Sequence, residues 1–126
     1  LKLNMEDDSL QGDILKILDK EGFTSSNLAE LSGKIGHPKD KLMQILKVSE
    51  KQGKLLRVDG NLMFTQRNFL KLKEKVTHHF SRHVEMSVPE FKEIAKTSRK
   101  YAVPLLEYLD KVKITYRDGN ARKLVK

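Results

Sequence analysis

The chain has 126 residues, of which 33% are charged and 38% hydrophobic, with no cysteine, no tryptophan and a formal net charge of +8. That length suits one ordinary domain or two small ones, and no apolar run approaches membrane-spanning length. Without cysteine, disulfides, zinc ribbons and thiol chemistry are excluded; no leader is visible, and a cytoplasmic location is expected. The chain opens Leu1-Lys2-Leu3 rather than with methionine and reads as a fragment of something longer.

The charge is uneven. Residues 1–70 carry 11 Lys and Arg against 10 Asp and Glu, whereas residues 71–126 carry 14 against 7. A cationic surface of this kind attracts phosphate backbones or acidic partners and says nothing of fold.

In chain order, Ile14, Leu15, Ile17 and Leu18 predict a helix that stops at Glu21-Gly22, where glycine suits the left-handed position. Ser25-Ser26-Asn27 offers a cap for a second helix with Leu28 and Leu31 inward. Pro38 suits the first turn of a third, which carries Leu42, Ile45 and Leu46 and closes at Gly53. Leu55 to Val58, Asp59-Gly60-Asn61 and Leu62 to Phe64 then read as strand, turn and strand.

The second half repeats that order. Phe69, Leu72, Val76 and Phe80 form a helical stripe. Ser87-Val88-Pro89-Glu90 reads as a capping box ahead of a helix with Phe91 and Ile94 inward. The next helix runs from Arg99 to about Lys111 with Ala102, Leu105, Leu106 and Leu109 buried, and a hairpin follows with Ile114 to Arg117 on one strand and Asp118-Gly119-Asn120 as its turn. The two Asp-Gly-Asn turns are 59 residues apart, as are Leu46 and Leu105; upstream, Leu28 and Phe91 are 63 apart, which predicts a longer helix-to-helix turn in the first copy.

The expected fold is therefore mainly α with small β-hairpin wings (α+β): two tandem winged-helix domains, residues 1–65 and 66–126. Units of this size lie near the lower limit for a self-sufficient core and are expected to pack on each other or on a parent protein. Thr65-Gln66-Arg67-Asn68 reads as a short polar linker between them.

No enzymatic constellation is present: there is no phosphate-binding glycine loop and no nucleophile with a local histidine-acid signature. His79 and His83 share a helical spacing, but no third metal ligand is placed nearby, so surface histidines are the expectation. The basic residues instead flank the last helix and its wing: Arg99 and Lys100 open the helix, and Arg117, Arg122 and Lys123 are expected to crowd the hairpin tip. Along the helix, Pro104 removes an amide and Glu107 would face phosphates at its middle, which disfavours insertion into a DNA major groove. An irregular RNA target suits the arrangement better, because an A-form major groove is too narrow for a helix. Among the tyrosines, Tyr116 is expected in the core by its parity with Ile114 and Tyr108 between helices, while Tyr101 is left either to packing or to base stacking.

The stretch from Phe91 to Leu124, above all Thr97-Ser98-Arg99-Lys100-Tyr101-Ala102-Val103-Pro104-Leu105-Leu106-Glu107-Tyr108-Leu109-Asp110 and the wing after it, resembles the last winged-helix domain of the bacterial selenocysteine-specific translation elongation factor family. The first half resembles the preceding winged helix of that family in outline. The resemblance implies non-catalytic binding of an mRNA hairpin, the selenocysteine insertion element, by the second domain, with the first as spacer or orienting module. Carried over residue by residue, the contact region would be Arg99, Lys100, Tyr101, Arg117, Asn120, Arg122 and Lys123. GTP, the ribosome and selenocysteinyl-tRNA would belong to the parent factor; the fragment itself would hold no cofactor or metal, would touch no membrane and would be a monomer. Two other readings stand beside this one: a duplex-DNA-binding transcriptional regulator and a winged-helix protein-interaction module.

Overall fold

Asn4 starts the first helix: its side chain accepts the Asp7 amide at 2.8 Å, and Glu6, Asp7 and Asp8 complement the positive end of the helix dipole. The computed structural model describes residues 3–59 and 62–126. They belong to two units, Leu1–Asn68 and Phe69–Lys126.

In the first unit, α1 (Met5–Glu21) ends at Gly22, whose positive φ of 65° with ψ −124° suits glycine. α2 (Leu28–Ile35) is opened by a capping box in which Asn27 and Glu30 satisfy each other's free amides. Glu21 ties the two helices together by accepting from the Ser26 amide at 2.9 Å and pairing with Lys34. Burial pushes the Glu21 carboxyl up, but the bonds from Lys34 and Ser26 outweigh it and hold the group below its ordinary value. α3 (Lys39–Lys51) is preceded by Pro38, expected inside the first turn; with ψ at 149° it is the extended residue before the helix. β1 (Leu55–Arg57) pairs antiparallel with β2 (Met63–Thr65). Gly60 and Asn61 of the expected turn lie outside the described residues; beside them Val58 donates to the Leu62 carbonyl at 2.8 Å and Leu62 to the Asp59 carboxylate at 2.9 Å. Ile14, Leu18, Leu31, Leu42, Ile45, Leu46 and Leu55 are buried together. Burying each of these side chains stabilises by about 1.5–3 kcal/mol before the entropy of ordering it is counted.

The residues expected to form a linker do not. Thr65 closes β2, and Gln66, Arg67 and Asn68 form the first turn of α4 (Gln66–Phe80). Thr65 donates to the Asp19 carboxylate, and the Asn68 side-chain Nδ2 donates to the Leu18 and Asp19 carbonyls at 3.3 and 3.1 Å. Thr65 caps the turn by accepting the Asn68 backbone N–H at 3.1 Å, so the polarity that resembled a linker serves helix initiation.

In the second unit, β3 (Met86–Ser87) leads into α5 (Val88–Ala95), whose capping box joins Ser87 and Glu90 as expected. Bonds from Ser87 hold the Glu90 carboxyl below its usual value. Lys96 then adopts the left-handed conformation, φ 53°, and α6 (Arg99–Lys111) begins after Ser98. α6 stays helical through Pro104 because Ala102, Leu105, Leu106 and Leu109 are all buried and packing outweighs the missing hydrogen bond. β4 (Thr115–Asp118) and β5 (Ala121–Leu124) form the wing, and the sheet order is β3-β5-β4. Asp118, expected in the turn, pairs with Ala121, which leaves the two-residue loop Gly119-Asn120. A positive φ at Gly119 but not at Asn120 is the pattern of a type II′ turn, whose twist matches the strands.

The longer helix-to-helix turn expected in the first copy is absent. Asn27 and Ser87, Leu31 and Phe91, Gly36 and Lys96, Leu46 and Leu106, Gly53 and Lys113, and Leu55 and Thr115 occupy equivalent places, sixty residues apart; only in the second wing strand, where Met63 lies opposite Arg57 and Arg122 opposite Arg117, is the offset 59. Phe91 thus stands in the place of Leu31 and not of Leu28, and Leu106, not Leu105, stands in that of Leu46.

Candidate nucleic-acid interface

Asp110, in the last turn of α6, organises the wing. Thr115 donates to its Oδ1 at 2.7 Å, and Arg122 reaches its Oδ2 from Nη2 at 3.0 Å and Nε at 3.2 Å. Arg122 is only 6% exposed. A guanidinium held in this two-pronged way by a carboxylate positions β5 against α6 and is not available to a ligand. The expectation that Arg122 joins Arg117 and Lys123 at the hairpin tip is thus corrected: alternation turns Arg122 inward, where Asp110 neutralises it.

Arg117 faces Arg122 across the hairpin, and like charges directly opposite repel. With Asp110 holding Arg122, Arg117 stays exposed and its Nε donates to the Gly119 carbonyl at 2.9 Å, at the turn beside the exposed Asn120. Lys123 is drawn to Asp118 at 2.8 Å, with Glu85 at 3.9 Å. The hydrogen bond to Asp118 raises the Lys123 pKa, so its charge is partly spent within the wing.

The other basic group stands at the opposite end of α6. Arg99 and Lys100 are exposed in its first turn; Asp110 lies eleven residues on, about 16 Å along the axis. That first turn contains no acid, and Ser98 makes no side-chain cap. Its amides and the two cations therefore favour an anion. Lys96, which sequence reasoning missed, is exposed just upstream in the α5–α6 turn; its signal was a lysine at the place where the first unit has Gly36. Tyr101 is half-buried with the Lys100 ammonium 5.3 Å from its ring centroid, a cation–π contact.

Tyr108 packs edge-on against Phe69, ring centroids 5.6 Å apart, in the interhelical role expected of it. Tyr116 does not enter the core and is 48% exposed. Thr115 and Arg122 both bond Asp110, which fixes the inward face of the hairpin; Tyr116, one residue on, is paired with Lys123 on the outer face. His79 and His83 stack with centroids 4.6 Å apart, and His79 Nε2 lies 2.8 Å from the Glu85 carbonyl oxygen. Among the described residues no cluster of three metal-ligating side chains occurs.

Comparison with known proteins agrees with this architecture. Residues 78–124 match the family model described as "Elongation factor SelB, winged helix". Over 109 residues the chain is 31% identical to a selenocysteine-specific elongation factor of Desulfomicrobium baculatum; this is 86% of the present chain but 15% of that relative's length. The structure superposes with a TM-score of 0.83 on the mRNA-binding domain of elongation factor SelB from E. coli, solved in complex with SECIS RNA, at 16% identity over 98% of this chain and 100% of that one. A bacterial selenocysteine-specific elongation factor EF-Sec matches at a TM-score of 0.67 and 24% identity, over 98% of this chain and 19% of that one. At such identities the structural matches establish the fold.

Proposed function

We propose that this chain, a C-terminal winged-helix region of the SelB family, binds an mRNA hairpin of the selenocysteine insertion type through its second unit. The reading rests on one observation above others. Arg99, Lys100 and Arg117 are exposed and make no ion pair among the described residues, and Arg117 owes its freedom to the Asp110–Arg122 pair. A winged helix of SelB is a binding module, and its role here is tethering, not catalysis. The parent factor would be a GTPase that brings GTP, selenocysteinyl-tRNA and the ribosome together in the cytoplasm, with this region anchoring it to the message as a monomer.

The contact set is Arg99, Lys100, Arg117 and Asn120, joined by Lys96, with Tyr101 and Lys123 at its margin and Arg122 behind it as a positioning residue. Glu107 is exposed midway along α6 and opposes a phosphate backbone laid along the helix, which favours contact by the helix start and the wing over groove insertion. Gel shifts with an RNA hairpin, its fully paired stem and a DNA duplex, at several salt concentrations, test this. The hairpin is expected to bind best, with log affinity falling against log salt at a slope of about −3 for four or so neutralised phosphates. Preference for the paired stem or the DNA duplex would overturn it.

A further inference from the structure

On the outer face of the second unit's hairpin, away from Asp110, lies a cleft of about 480 Å³ formed by the end of α4, the segment after it and the wing. Phe80, Val84, Tyr116 and Leu124 supply its apolar lining, with Tyr116 48% and Val84 78% exposed. Arg82 and Lys126 also line it, both exposed and without an ion-pair partner among the described residues, and no aspartate or glutamate lines it. Lys123 also borders it but is held by Asp118 and Glu85, and His83 is stacked on His79. A flat, half-exposed aromatic ring in one cleft with free cations matches the chemistry of a nucleotide: an apolar face for the base and positive charge for its phosphates. An acidic peptide would use the cations but leave the ring and Val84 exposed.

We infer that this cleft holds one unpaired base of the bound RNA, stacked on Tyr116, with the adjoining phosphate on Arg82 and Lys126. The inference rests on the RNA-binding reading above. It makes the wing a two-sided blade, with Arg117 serving the strand at the turn and Tyr116 receiving a base on the outer face. Geometry permits this only for a base that has left the stack, so the target must contain a bulge or an open loop.

The test starts from a hairpin RNA selected by the wild-type chain from a pool with a fixed stem and randomised unpaired positions. Affinities are then measured by fluorescence anisotropy for the wild type, Tyr116→Ala and Tyr116→Phe, using the selected RNA and versions with each unpaired nucleotide made abasic in turn. Tyr116→Ala should weaken binding roughly 5- to 100-fold, Tyr116→Phe should restore most of it, and neither should change the salt slope. One abasic RNA should bind the wild type as weakly as Tyr116→Ala binds the intact RNA, and should no longer distinguish the two proteins. Arg82→Gln should make the salt slope shallower by about one. If Tyr116→Ala, or every abasic RNA, bound at full strength while Arg117→Gln weakened binding, the cleft would be overturned and the RNA-binding reading would stand. If Tyr116→Phe lost as much as Tyr116→Ala, stacking would be overturned. If no RNA in the pool bound the wild type, both would fall.

Discussion

The two units share a frame but use their wing arginines in opposite ways. In the first, Glu50 near the end of α3 holds Arg57 of β1 at 2.6 Å. Sixty residues on, Asp110 takes the place of Glu50 and Arg117 that of Arg57, but Asp110 pairs with Arg122 on the other strand. The residue opposite Arg57 is Met63, which has no charge to compete for the carboxylate, whereas the residue opposite Arg117 is Arg122. One substitution in the second wing strand thus releases an arginine to solvent. The helix start differs in the same sense: Asp40 complements the first turn of α3, and Lys100 stands in its place in α6. The two units thus keep a common frame, while among the described residues only the second leaves a β-strand arginine without an ion pair.

The largest effect expected from breaking this comparison is on stability. Arg122→Ala leaves Asp110 with Thr115 alone and should cost the second unit about 3 kcal/mol, since the remaining carboxylate is partly buried without its counter-charge. Arg57→Ala, at a pair about 30% exposed on both sides, should cost the first unit no more than about 1 kcal/mol. All three tyrosines lie in the second unit, so tyrosine fluorescence during urea unfolding follows that unit, and circular dichroism follows both. Equal losses at the two sites would mean that the Asp110 hub is no more than a surface ion pair.

Much of this was legible in the residues before any coordinates. Helix periodicity, the Ser87–Glu90 capping box and the bounds of α6 follow from patterns carried within a few residues. What was not legible depends on partners distant in sequence. Nothing local distinguishes Arg122 from Arg117, which lie opposite each other on one face of the hairpin; the difference is that Asp110 reaches that face and takes Arg122, and the same placement turns Tyr116 outward. Gln11 likewise carries no local mark of burial, yet it is buried and donates to Ser49 and Gln52 at 2.8 Å each, where the second unit has Leu109 in the place of Ser49. Thr65 to Asn68 resembled a linker because polar capping residues and polar loops have the same composition.

A smaller effect is expected where the second unit has lysines at left-handed positions that are glycines in the first. Gly36 and Gly53 have φ values of 79° and 76°, while Lys96 and Lys113 have 53° and 63°. An L-residue with a side chain is strained there, although glycine loses more entropy on folding. Lys96→Gly should therefore stabilise the second unit, by up to about 1 kcal/mol in urea unfolding, while weakening RNA binding through the lost charge. A variant that gained stability with unchanged affinity would remove Lys96 from the contact set.

The most direct measurement compares register-matched charges in the full chain. Arg99→Gln with Arg117→Gln is set against Lys39→Gln with Arg57→Gln, the residues sixty positions earlier, and the affinity for an RNA hairpin is followed across a salt series. The second-unit pair should lose at least tenfold in affinity and make the salt slope shallower by about two, while the first-unit pair leaves both unchanged. Equal losses from the two pairs, or a loss confined to Lys39 and Arg57, would contradict the account.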